Sequence, residues 1–250
     1  MIYGLYQSAA GMMTNEYRQA VLANNIANAD TVGFKRDVAT FAERTPAQAA
    51  GERAGTSATD MAGLSGGLWL GRTFTDFTAG TKTQTGNPYD VALDGPGFLA
   101  VQSNGQRLYT RDGRTLLRPD GTLVAASDGA EMLGRGGMPV RLNPFGGQPN
   151  IDTQGRISQD GAIVGELEIV NFANYQALQK VGAARFAAPN AEPAPAPVLV
   201  QGGYIEGSAV EPVNELVNMM EATQAYQFNA RMVSLQDDSV SKLINAVMRV

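Results

Sequence analysis

The chain has 250 residues, a hydrophobic content of 44% and a formal net charge of −5. That is enough apolar material for one or two packed domains, and the charge gives no general pull toward nucleic acid or anionic membrane. The absence of cysteine and histidine excludes disulfides, thiol chemistry and cysteine metal sites, and removes the usual general base, the Ser-His-Asp triad and the commonest metal ligand.

Residues 2–28 read as a long helix. Its stripe is Ile2, Tyr6, Ala9, Met13, Glu16, Ala20, Ala23 and Ala27, spaced alternately four and three, the repeat that keeps one seam toward a neighbouring helix. Its alanines let a partner backbone approach closely. No run of about 18 apolar residues exists to span a membrane. No cleavable secretory signal is legible, because the first basic residue is Arg18 and Glu16 interrupts the apolar region. Asn24, Asn25 and Asn28 fall on the last turn, and Gly33 suits a positive φ beyond it. One asparagine would cap a helix; three point to specific side-chain contacts.

Residues 36–67, most clearly 42–67, are rich in small residues and read as a flexible loop. From Leu68 to about residue 186 the period changes to two. Short runs alternate with Asn104-Gly105, Asp112-Gly113, Asp120-Gly121, Asp128-Gly129 and Asp160-Gly161, which predicts small antiparallel hairpins. Asp90 and Asp94 are the nearest thing to an acid/base pair, although Asp94 precedes Gly95-Pro96-Gly97 and suits a turn. Arg107, Arg111, Arg114 and Arg118 suit a solvated face. The glycine-rich stretches Gly134-Arg135-Gly136-Gly137 and Gly146-Gly147 lack a phosphate-loop lysine. Residues 187–204, with Pro189, Pro193, Pro195 and Pro197, read as an extended connector.

A second long helix spans 211–248, with Pro212 in its first turn. Its stripe is Leu216, Met219, Thr223, Tyr226, Ala230, Val233, Asp237, Val240, Ile244 and Val247, again at coiled-coil spacing. A charge at Val233 is expected to break that seam, and Gln236 is expected to lie off it. The fold class that follows is α+β: paired N- and C-terminal coiled-coil helices, in segments 1–35 and 205–250, around a central antiparallel all-β domain at 68–186. Two orphan stripes favour a subunit that assembles. An exported cell-wall glycosidase is the alternative of another class, and would depend on Asp90 and Asp94.

Three segments resemble the bacterial flagellar rod and hook axial proteins. The first is Asn24-Asn25-Ile26-Ala27-Asn28 followed by Gly33-Phe34-Lys35. The second is Asn87-Pro88-Tyr89-Asp90-Val91-Ala92-Leu93-Asp94-Gly95-Pro96-Gly97-Phe98. The third is Glu206-Gly207-Ser208-Ala209-Val210, running into Val217-Asn218-Met219-Met220 and Ala225-Tyr226-Gln227. Ala209 and Thr223-Gln224 depart from the family pattern and leave the stripe intact. The chain length and the ending Leu235-Gln236-Asp237-Asp238 with Leu243-Ile244-Asn245 look more like a proximal rod protein than a distal rod or hook protein.

The resemblance implies a structural subunit with no cofactor, metal or catalytic residue. Its terminal helices would pair and pack on copies of the chain and on other rod and hook proteins, building a torque-transmitting tube in the periplasm. It implies export through the flagellar type III apparatus without a cleaved signal, and neither nucleic-acid binding nor membrane insertion. The motif and assembly residues would be Asn24, Asn25, Ile26, Ala27, Asn28, Gly33, Phe34, Lys35, Glu206, Gly207, Ser208, Leu216, Met219, Met220, Tyr226, Ala230, Val233, Val240 and Ile244.

Overall fold

The computed structural model describes residues 2–43, 68–194 and 198–248. The loop expected over 44–67 and the prolines at 195 and 197 lie outside the described residues. The chain divides into two units. One comprises residues 1–27, 37–74 and 211–250; the other comprises 28–36 and 75–210.

The first unit holds helix α1 (Ile2–Ala27) and helix α2 (Pro212–Val247). At about 1.5 Å per residue they are about 39 Å and 54 Å long. Pro212 occupies the first turn of α2, where its missing N–H breaks no helical bond. The same unit contains strands β1 (Asp37–Glu43) and β2 (Leu68–Thr75), which form a two-stranded sheet. Thr40 Oγ1 donates to the Arg72 carbonyl at 2.5 Å, and the Tyr17 and Thr73 hydroxyls are also 2.5 Å apart. Residues 37–43, expected within the loop, are therefore strand, and β2 groups with the helices instead of the β domain. The β1 sequence Asp-Val-Ala-Thr-Phe-Ala-Glu has no apolar/polar alternation, so neither period nor composition marked it as strand.

The second unit is antiparallel throughout its named strands. It continues with β3 (Lys82–Gln84), β4 (Val91–Asp94), β5 (Phe98–Ser103) and β6 (Gln106–Thr110). The largest sheet centres on β5 and β6, extending through Arg185–Ala187 on one side and Glu131–Gly134, Leu123–Ala125 and Thr115–Leu117 on the other. Val91, Leu99, Val101, Met132, Ile157 and Val200 fill its core. A second cluster packs Phe98, Phe172 and Phe186 against Phe77 and Tyr175.

Of the five turn pairs, Asn104-Gly105 and Asp160-Gly161 form two-residue hairpins with both residues at positive φ, the geometry those dipeptides favour. Asp120 and Asp128 instead accept the backbone N–H two residues ahead. Asp112-Gly113 is no hairpin: the Gly113 carbonyl accepts from Val91 N–H. The expected connector is also more regular than its prolines suggested. Leu199–Gly202 pairs with β4, Tyr204–Glu206 pairs with β3, and Pro193–Ala194 pairs with Ile169–Phe172. Pro193 sits on a strand with one partner, where a missing donor costs no ladder bond.

Candidate assembly surface and motif residues

Helices α1 and α2 run antiparallel beside one another. A Cβ added to Gly4 would lie 2.8 Å from Gln236 Nε2, and one added to Gly11 would lie 2.8 Å from Asn229 Nδ2. Arg18 Nη2 lies 3.9 Å from Glu221 Oε2. The contacts step by seven residues on α1 and by about seven on α2, in opposite directions. Residues at these three contacts are therefore small or polar. Glycine permits backbone approach that any larger side chain would block.

The expected α1 stripe lies on the other side of that helix. Tyr6 is 69% and Met13 71% exposed, and Ala20, Ala23 and Ala27 are exposed with them. On α2, Leu216, Asp237 and Ile244 are exposed, while Met219, Thr223, Tyr226, Ala230, Val233 and Val240 are half-buried. Met219, Tyr226, Val233 and Val240 of the expected seam thus share the less exposed side of α2 with Glu215, Ala222, Asn229 and Gln236, while Leu216, Asp237 and Ile244 lie away from it. Gln236, expected off the seam, stands in the contact, opposite Gly4. A further apolar row, Val213, Val217, Met220, Phe228 and Leu235, is exposed along α2. Its spacing of four, three, eight and seven places it opposite Glu215 and Ala222, the buried residues of the helix.

The motif residues serve three distinct ends. Asn25 is 1% exposed. Its amide donates to the Asp37 carbonyl and its oxygen accepts from Asp37 N–H, both at 2.9 Å, so one side chain substitutes for a strand neighbour and fixes where β1 begins. Asn28 lies just past the helix end, where its Oδ1 accepts from the Thr31 hydroxyl at 3.2 Å. Asn24 and Ala27 are exposed and Ile26 is half-buried. Asn25→Ala is expected to destabilise the first unit by about 1–3 kcal/mol, because it strips a buried N–H and a buried C=O of their partner. Urea unfolding followed by the fluorescence of Trp69 on β2 checks this.

Gly33, Phe34, Lys35 and Glu206 meet in the interior of the second unit. Lys35 Nζ stands 2.5 Å from Glu206 Oε1 and donates to the Thr78 carbonyl at 2.8 Å. Arg111 Nη1 stands 3.1 Å from Glu206 Oε2, and Gly80 N–H donates to Glu206 Oε1 at 3.1 Å. Glu206 is 0% exposed. Burial lowers the Lys35 pKa, against the pull of Glu206. Gly33 has φ +69, and a Cβ there would fall 2.3 Å from Asp112 N, so only glycine fits. Lys180 Nζ stacks 4.1 Å from the Phe34 ring centroid. Gly207 N–H donates to the Thr81 carbonyl, and Ser208 Oγ accepts from Val210 N–H.

The charged residues weighed as possible chemistry have structural partners. Asp90 is buried and accepts from the Thr85 hydroxyl at 2.7 Å and the Asn87 amide at 3.0 Å, closing the turn that opens β4. Asp94 pairs with Lys82 at 2.6 Å. Arg107 pairs with Glu168, Arg114 with Asp112 and Arg118 with Glu131. Arg111 is buried, contrary to the expected solvated face. Nearby, Asp76 accepts from Arg36 Nε at 2.9 Å and from the Thr78 hydroxyl at 2.6 Å. Burial opposes its ionisation, but the Thr78 and Arg36 bonds outweigh it and hold its carboxyl below the ordinary aspartate value of 3.8. A depressed carboxylate stabilises the fold above its unfolded pKa. That contribution should be present above pH 3.8 and lost as pH falls through the lower folded value; Asp76→Asn should flatten this acid limb in a melting-temperature series.

Sequence reasoning missed Gly4, Gly11, Asn229, Gln236 and Arg111. The glycines seven apart were a readable signal, whereas nothing local marks Arg111 for burial. Comparison with known proteins agrees with the placement of the motifs at the chain's two ends. Residues 5–35 match the family model described as "Flagella basal body rod protein", and residues 201–246 match "Flagellar basal body rod FlgEFG protein C-terminal". The chain is 34% identical over 233 residues to the flagellar basal-body rod protein FlgF of Caulobacter vibrioides, covering 92% of this chain and 91% of that one. It is 31% identical to FlgG of Buchnera aphidicola subsp. Schizaphis graminum (97% and 99% covered) and 28% identical to FlgF of Mesorhizobium japonicum (96% and 97% covered). With helical ends that carry both family matches, and alignment running through the β unit between them, this chain belongs to the flagellar basal-body rod protein family.

Proposed function

We propose that the protein is a structural, non-enzymatic subunit of the flagellar basal-body rod that assembles through the outward faces of α1 and α2. The observation that carries this reading is the inversion of the helices: their mutual contact is lined by Gly4, Gly11, Asn229 and Gln236, while Tyr6, Met13, Met220 and Phe228 face outward. Exposed apolar rows of that extent are costly unless another chain covers them. In the assembly these rows form coiled-coil contacts with neighbouring copies and with other rod proteins, and the second unit stands outside the tube. The subunit occupies the proximal rod in the periplasm and is exported through the flagellar type III apparatus. The residues Leu235-Gln236-Asp237-Asp238 with Leu243-Ile244-Asn245 support the proximal position.

The test is a Met13→Cys chain in living cells. Crosslinking with a short reagent that carries a maleimide arm for the introduced thiol and a photoactivated arm for any neighbouring side chain should link it to rod subunits in purified basal bodies, and the absence of such adducts would refute the reading. In the free chain, the small and polar contact between the helices should hold them weakly. Hydrogen exchange is therefore expected to be fast over 2–27 and 212–247 and slow in β4, β5 and β6. Slow exchange in both helices of a verified monomer would contradict this.

A further inference from the structure

We infer that the segment 33–35 and the run 206–209 form a mechanical clamp through which load enters the second unit. Gly33 N–H donates to the Glu206 carbonyl at 2.8 Å, and Ala209 N–H donates to the Phe34 carbonyl at 3.2 Å. Both partners advance along the chain together, so the two segments run parallel. Residues 28–36 enter this unit from the end of α1, and residue 210 leaves it toward α2. Force applied at those two ends drags parallel segments past one another. Their bonds are then strained together, whereas pulling across a hairpin end breaks them singly.

The clamp is reinforced by buried charge. Lys35 and Arg111 both hold Glu206, and Lys35 also donates to the Thr78 carbonyl. The other edge of 206 is occupied as well, since Tyr204–Glu206 pairs with β3 and Gly207 N–H donates to the Thr81 carbonyl. Glu206 therefore cannot slide without leaving two cations unpaired in a dry site, which is a large barrier. The inference rests on the rod reading for the source of the load, but the clamp itself belongs to this unit and is measurable in the isolated chain.

Single-molecule pulling tests it on the full chain, whose lack of cysteine allows attachment at chosen points. One version carries Asp30→Cys and Glu211→Cys, loading the clamp; the other carries Gln106→Cys and Ala162→Cys, at exposed positions away from it. The 30/211 attachment should unfold more slowly at a given force. Lys35→Met should raise that rate on the order of a hundredfold, since forced unfolding follows the barrier and removing one partner of a buried pair is severe, with a much smaller change through 106/162. Equal rates for the two attachments in the unsubstituted sequence, or an equal effect of Lys35→Met on both, would overturn the clamp. The comparison without Lys35→Met decides the matter even if that variant does not fold. Neither result depends on rod assembly, so failure of the clamp leaves the crosslinking outcome untouched.

Discussion

Glu206→Ala is expected to unfold the second unit at a temperature roughly 6–20 °C below that of the parent chain. The carboxylate holds Lys35 and Arg111, both almost wholly shielded from water. Its removal strands two cations, and the loss of one partner from a buried pair typically costs about 3–5 kcal/mol, which at about 2–4 °C per kcal/mol for a unit of this size gives that range. Glu206→Gln should recover part of the loss, because the amide oxygen can still accept from Gly80 N–H or from one cation. Calorimetry of the full chain makes the comparison. A drop of under about 2 °C for Glu206→Ala would mean that the cations find other acceptors or water. Lys35→Met should cost less than Glu206→Ala, because Arg111 continues to neutralise the carboxylate.

The second large effect is on assembly. Phe228→Asp places a charge in the exposed row of α2, where Phe228 is 64% exposed in the free chain. The substitution should leave the melting temperature of the isolated protein unchanged, since the ring has few partners there. In the proposed assembly a neighbouring subunit covers the same position, and burying an unpaired carboxylate costs at least several kcal/mol. Association should weaken at least about a hundredfold, so cells should export the protein yet build no complete rods and not swim. Phe228→Leu, which preserves an apolar surface, should support motility. Normal swimming halos with Phe228→Asp would show that this row faces no neighbour. Val233, half-buried in the free chain, is a weaker test, because a charge there disturbs the free chain as well.

Both predictions fall on residues whose importance was unequally visible before the fold was known. The helices were legible because their apolar positions recur at three and four over 26 and 36 residues, a signal long enough to survive local exceptions. The antiparallel β region was legible through Asn-Gly and Asp-Gly pairs, although only two of five close a tight hairpin. β1 was missed because its seven residues do not alternate apolar and polar and sit beside a small-residue stretch. The strands after Pro193 were missed because proline forbids a central strand but permits an edge.

The sequence alone determined the α+β division, the absence of thiol and histidine chemistry, and the family, since these depend on composition, period and ordered motifs that need no partner. Tertiary structure alone decided which face of each helix meets the other. Periodicity identifies a stripe but not what covers it, and here Gly4, Gly11, Asn229 and Gln236 pack inside while Tyr6, Met13, Met220 and Phe228 remain outside. It also decided that Lys35, Arg111 and Glu206, up to 171 positions apart, share one buried site. Burial of a charge depends on the distant groups that surround and neutralise it, and no local pattern in the chain encodes their approach.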